Sequence, residues 1–69
     1  MIPSNKTIQL LDVVAITCDL PDSGLLSGQV GTVVESLGPG IFEVEFSDDQ
    51  GYTYAQLAIQ ESQLLVLHY

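Results

Sequence analysis

The segment that most constrains this chain is Ile41-Phe42-Glu43-Val44-Glu45-Phe46, where large apolar and acidic side chains alternate with a period of two. Successive side chains of a β-strand point to opposite faces. The spacing therefore predicts a strand with Phe42, Val44 and Phe46 on a core face and Glu43 and Glu45 in solvent.

Weaker versions of the pattern recur along the chain. Asp12 to Thr17 is rich in Val and Ile, Gln29 to Ser36 carries Val30, Val33 and Val34, Tyr52 to Ile59 alternates again, and Leu64 to His68 closes the series. Each run is short and bounded by turn residues, as strands are. Cys18 to Gly24 contains the Asp, Pro, Ser and Gly of a loop, with Leu20, Leu25 and Leu26 expected to tuck it onto the core. Leu37-Gly38-Pro39-Gly40 and Ser47-Asp48-Asp49-Gln50-Gly51 read as tight turns, so the middle runs form an antiparallel meander. Gln60 to Gln63 reads as one turn, of 3₁₀ type, before the last strand.

Strong helix signals are absent. Five short strands, a long first loop, two hairpins and a one-turn break predict an all-β domain, a small five-stranded SH3-like barrel whose closure removes exposed sheet edges. A five-stranded OB-like barrel is the alternative, although that fold usually needs a longer chain and a helix.

With 69 residues the chain is expected to be a single domain over 1–69, residues 1–9 forming a flexible N-terminal segment. A domain of this size buries only about 60% of its unfolded surface, so stability is marginal. The hydrophobic fraction of 46% suffices for one core. Cys18 is the only cysteine and closes no intrachain disulfide. The N-terminal stretch is polar and no apolar run is long enough for a signal sequence or a membrane span, so a cytoplasmic location is expected. Asn5-Lys6-Thr7 matches the glycosylation pattern, which without a secretory signal is accidental.

Charge restricts the choice of partner. Nine acidic residues against one lysine give a formal net charge of −8. Nucleic-acid affinity comes largely from Lys and Arg displacing counterions from phosphates, so no nucleic acid is expected as ligand. An anionic membrane is excluded on the same ground. A basic protein partner fits, and so does a charge that serves solubility alone.

Leu11-Asp12-Val13-Val14-Ala15, Gly24-Leu25, Gly28-Gln29-Val30-Gly31-Thr32-Val33-Val34-Glu35 and Phe42-Glu43-Val44-Glu45-Phe46 together resemble a family of short prokaryotic proteins known only as a domain of unknown function. The resemblance runs from about Leu10 to Leu67. More distantly, the strand, loop and Gly-x-x-Gly-x-Val pattern is similar to KOW and other SH3-like modules. What this implies is a barrel with a role in interaction and no catalytic residues. KOW-type modules typically contact RNA or proteins through basic and aromatic loop residues, whereas the loops here carry Asp19, Asp22, Asp48 and Asp49, a departure that favours a protein partner. Small acidic proteins also serve as immunity or antitoxin partners of basic toxins, an analogy of size and charge alone.

Each chemical motif has a structural counterpart. Gly28 and Gly31 could echo a KH-type loop, but they lack flanking helices and cations. They read instead as a positive-φ loop exit and a close strand approach. Asp48-Asp49-Gln50-Gly51 could be half of a calcium loop, but the other ligands are missing and a hairpin with Asp accepting local hydrogen bonds accounts for it. Glu43 and Glu45 lie about 7 Å apart by strand geometry, a separation suited to acid–base chemistry, yet a barrel this small has no pocket to hold a substrate. Cys18 and His68 sit near opposite ends of the chain, and nothing in the sequence pairs them. No enzyme activity, cofactor or metal is expected.

The expected protein-binding site is Glu43, Glu45, Asp48, Asp49, Tyr52 and Tyr54. Tyr52 and Tyr54 should share one face of their strand, opposite Ala55, Leu57 and Ile59, and Tyr is enriched at interface cores. Packing of the two rings over a barrel mouth is the structural alternative. The leading expectation is thus a non-catalytic module for a basic protein. The second is a self-associating structural protein, a homodimer covering an apolar patch around Ile41, Val33 or Leu65.

Overall fold

Phe42, Val44 and Phe46 are buried on one side of their strand, as the alternation requires, and the sheet is built around them. The computed structural model describes residues 8–67. The strands are β1 (Val13–Ile16), β2 (Val30–Gly38), β3 (Ile41–Ser47), β4 (Thr53–Gln60) and β5 (Leu64–Val66). Single 3₁₀ turns, Pro21–Ser23 and Glu61–Gln63, interrupt the first loop and precede β5. No α-helix occurs among the described residues.

All five strands belong to one antiparallel sheet in the order β4-β3-β2-β1-β5. Consecutive strands pair from β1 to β4, and β5 returns to the free side of β1. The sheet is open, with β4 and β5 as its edges, so main-chain pairing does not make the closure expected from the sequence. It is nevertheless curved. Val14 and Ile16 of β1 share one core with Ile59 of β4, three positions away in the sheet, together with Ile8, Leu25, Val33, Phe42, Val44 and Phe46. On a flat sheet, strands three positions apart stand about 14 Å from each other, too far for side chains to meet.

Two features of β2 set the register. Gly28 leaves the first loop at φ 94°, a conformation that glycine adopts without strain. Between Val33 and Glu35 the pairing with β3 shifts by one: Val33 faces Val44, while Glu35 faces Glu43. Continued without the shift, Glu35 would have faced Phe42 and the core. The bulge at Val34 re-aims it outward, beside Glu43.

Three packing expectations change. Leu20 and Leu25 bridge each other across the first loop and pack inward, but Leu26 is 63% exposed. The loop beside it is held by a side-chain carboxylate, the Ser27 N–H donating to Asp19 Oδ1 at 2.8 Å, and not by the leucine itself. Val33 is fully buried in the core and cannot belong to a dimer patch. Glu43 and Glu45 are half-buried, not fully exposed, because β3 is an interior strand covered on both sides by neighbours. The N-terminal segment expected over residues 1–9 lies mostly outside the described residues. Of its last two, Ile8 is buried with the core and Gln9 donates its N–H to Asp12.

Candidate functional site: an acidic outer face

Three of the nine acidic residues, Glu35, Glu43 and Glu45, share the face of the sheet opposite the core. β3 presents Glu43 and Glu45 there, β2 presents Glu35 directly across from Glu43, and β4 presents Gln56 across from Glu45 and Ala58 across from Glu43. Like charges directly opposite each other cost roughly 0.2–1 kcal/mol in a sheet. Gln56 relieves part of the crowding, its Nε2 donating to Glu43 Oε2 at 3.1 Å. The described residues include all nine acids and no Lys, Arg or His.

Glu35 was not among the residues expected at the site. From Val33-Val34-Glu35 alone, strict alternation places it with Val33 on the core face. Only a bulge brings it out, and a Val-Val pair followed by an acid is a signal visible in retrospect.

Asp48 and Asp49 lie past the end of β3, in the hairpin, and do different things. Asp48 Oδ1 accepts from the N–H of Gln50 at 2.9 Å and of Tyr52 at 3.0 Å, and its own N–H donates to the Tyr52 carbonyl. That is the local hydrogen bonding expected of a turn aspartate. Asp49 is exposed at the tip.

The two tyrosines separate. Tyr52 is 69% exposed just before β4, beside the Asp48 turn. Tyr54 sits at a further register shift, between β3 and β4: Phe46 faces Ala55 but Ser47 faces Thr53, leaving Tyr54 as the extra residue. Alternation fails at such a point. The Tyr54 ring lies against the buried Phe46, with centroids 6.4 Å apart, and its hydroxyl accepts from Gln29 Nε2 at 3.0 Å. One side of the Tyr54 ring therefore covers the end of the core, as packing over a barrel mouth would, while the ring stays 50% exposed; Tyr52 is the more open of the two.

Cys18 is half-buried and accepts from Gln63 Nε2 at 3.4 Å. His68 lies outside the described residues. Among those described, no three His, Cys, Asp or Glu side chains converge as metal ligands do, and no helix is long and apolar enough to cross a membrane.

A family model described as Domain of unknown function (DUF4926) matches residues 10–66. No curated protein and no solved structure matches the chain.

Proposed function

We propose, from the premise that this chain belongs to the DUF4926 family, that it is a non-catalytic module which binds a basic protein through the outer face of β2 and β3. The observation that carries this reading is the Glu35–Glu43 pair. A sheet spends stability to hold two carboxylates opposite each other, with Glu45 two residues along and no cation among the described residues. A partner's Lys or Arg side chains supply the missing counter-charge, and the half-buried position of Glu43 and Glu45 strengthens that interaction relative to fully solvated pairs. Tyr52 and Asp49 extend the contact past the hairpin, while Asp48 and Tyr54 hold the surface in shape. The setting in this reading is a prokaryotic cytoplasm, and an immunity or antitoxin role against a basic toxin suits the size and charge.

Several features support an SH3-like barrel within this reading. β5 returns to β1 after a 3₁₀ turn, and β1 and β4 share a core. The lack of an α-helix among the described residues disfavours the OB-like alternative.

One observation favours self-association as a second reading. Leu65, Ala15 and Val30 form a cross-strand row on the outer face of β5, β1 and β2, with Leu65 57% and Val30 45% exposed. A homodimer would cover that row, and Leu65→Glu would dissolve it.

The two readings separate in affinity capture from a lysate of the source cell. The wild-type chain and a Glu35→Gln/Glu43→Gln/Glu45→Gln variant are immobilised in parallel. The account expects a basic protein retained by the wild type and lost by the variant. Retention of an acidic protein, or equal retention by both, contradicts it.

A further inference from the structure

The two edges of the sheet are unlike. β5 has three residues, too few to template another strand, whereas β4 has eight and carries no proline and no charged side chain. Exposed edges in natural proteins are usually blunted by Lys, Pro, inward-pointing charge or a covering element. Beyond the bulge at Tyr54, β4 has none of these, and among the described residues no strand or loop backbone pairs with its outer side.

The core also thins at this edge. Val44 and Phe46 on β3 are fully buried, yet Leu57 and Ala55, their partners on β4, are only half-buried. On the opposite face β4 offers the uncharged Gln56 and Ala58, with the Glu45 and Glu43 carboxylates one strand further in.

Resting on the acidic-face reading above, we infer that β4 is a strand-addition site for an extended segment of the basic partner, one that alternates cationic and apolar side chains. Such a segment continues the ladder with main-chain hydrogen bonds. Its apolar side chains lie over Leu57 and Ala55 and complete the core. Its cationic side chains fall on the outer face about 10 Å from β3, two interstrand spacings away. The flexible stem of a lysine then passes over Ala58, a lone methyl, toward Glu43. Charge selects this occupant over a second copy of the chain. Two β4 edges paired together would join two acidic faces into one sheet, and the described residues offer no cation to offset them.

The probe is a ten-residue peptide alternating lysine and valine, added to the full chain while backbone amide exchange is followed by NMR. Three companions are measured beside it: the same peptide N-methylated along its main chain, the same peptide with glutamate for lysine, and the protein alone in sedimentation. The inference expects slowed exchange at alternate amides of β4, binding at least roughly tenfold weaker for the N-methylated peptide, and none for the glutamate peptide. Equal binding of the N-methylated peptide overturns strand addition while leaving the acidic face as a binder of cations. Equal binding of the glutamate peptide overturns the acidic-face reading itself. Protection confined to β5, no protection anywhere, or a dimer of the chain alone with β4 protected would each overturn the inference.

Discussion

Gly31 and Val44 approach so closely across the β2–β3 ladder that a β-carbon on Gly31 would come within 2.8 Å of Val44 Cγ1. The same atom would lie 2.8 Å from the Glu45 carbonyl oxygen and 2.9 Å from the Phe46 ring. Side chains of a packed core have little room to retreat, and a main-chain oxygen within a ladder has less. Gly31→Ala is expected to cost about 1–3 kcal/mol, read as a lower denaturation midpoint at unchanged slope. An unchanged midpoint would show that β2 and β3 do not meet as described.

Phe42 tests the core from the other end of β3. Its ring is buried opposite Ile59, so Phe42→Ala is expected to cost about 3–5 kcal/mol. For a domain of this size that is enough to leave much of the protein unfolded at room temperature. A thermal melt that matches the wild type would mean the register of β3 is wrong.

Asp48 and Asp49 are adjacent but should respond differently. Asp48→Ala removes the acceptor for two main-chain N–H groups and is expected to cost about 1–2 kcal/mol. Asp49→Ala, at an exposed position, should stay within about 0.5 kcal/mol. Comparable melting curves for the two variants would remove the structural role assigned to Asp48.

Glu35 supplies a prediction of opposite sign. Glu35→Lys turns a repulsive cross-strand pair with Glu43 into an attractive one, worth about 0.5–1 kcal/mol of added stability. In a chain of this length that raises the melting temperature by roughly 2–8 °C, and the gain should shrink in high salt. If the variant melts lower, Glu35 does not face Glu43. The same substitution should weaken the basic partner, so stability and binding move in opposite directions at one residue.

Much of the fold was legible because alternation is a direct consequence of strand geometry. Phe42, Val44 and Phe46 declared the core, and the turn residues of Gly38 to Gly40 and Asp48 to Gly51 marked both hairpins. The places that misled are those where local geometry breaks the period. At Val34 one extra residue turned Glu35 from core to surface, and at Tyr54 another set a half-exposed ring against Phe46. Bulges depend on pairing with the next strand, which a single strand's sequence does not specify. Burial of Glu43 and Glu45 was underestimated for a related reason: their neighbours lie on β2 and β4, distant in sequence. The open edge at β4 likewise became visible only with the strand order.

On the reading proposed above, the acidic face recognises a cationic protein. Its most direct measurement is the association rate of the captured partner across a salt series, for the wild type and for a Glu43→Gln/Glu45→Gln/Asp48→Asn/Asp49→Asn variant. Between 0.01 M and 1 M salt the Debye length falls from roughly 30 Å to 3 Å, which removes long-range steering and leaves short-range contacts in place. The account predicts a wild-type on-rate well above the unsteered value of about 10⁵–10⁶ M⁻¹s⁻¹ at low salt, falling steeply as salt rises. The folded variant should associate slowly at every salt concentration. An on-rate indifferent to salt, or equal for the two proteins, would contradict the claim and leave the charge of this chain to solubility alone.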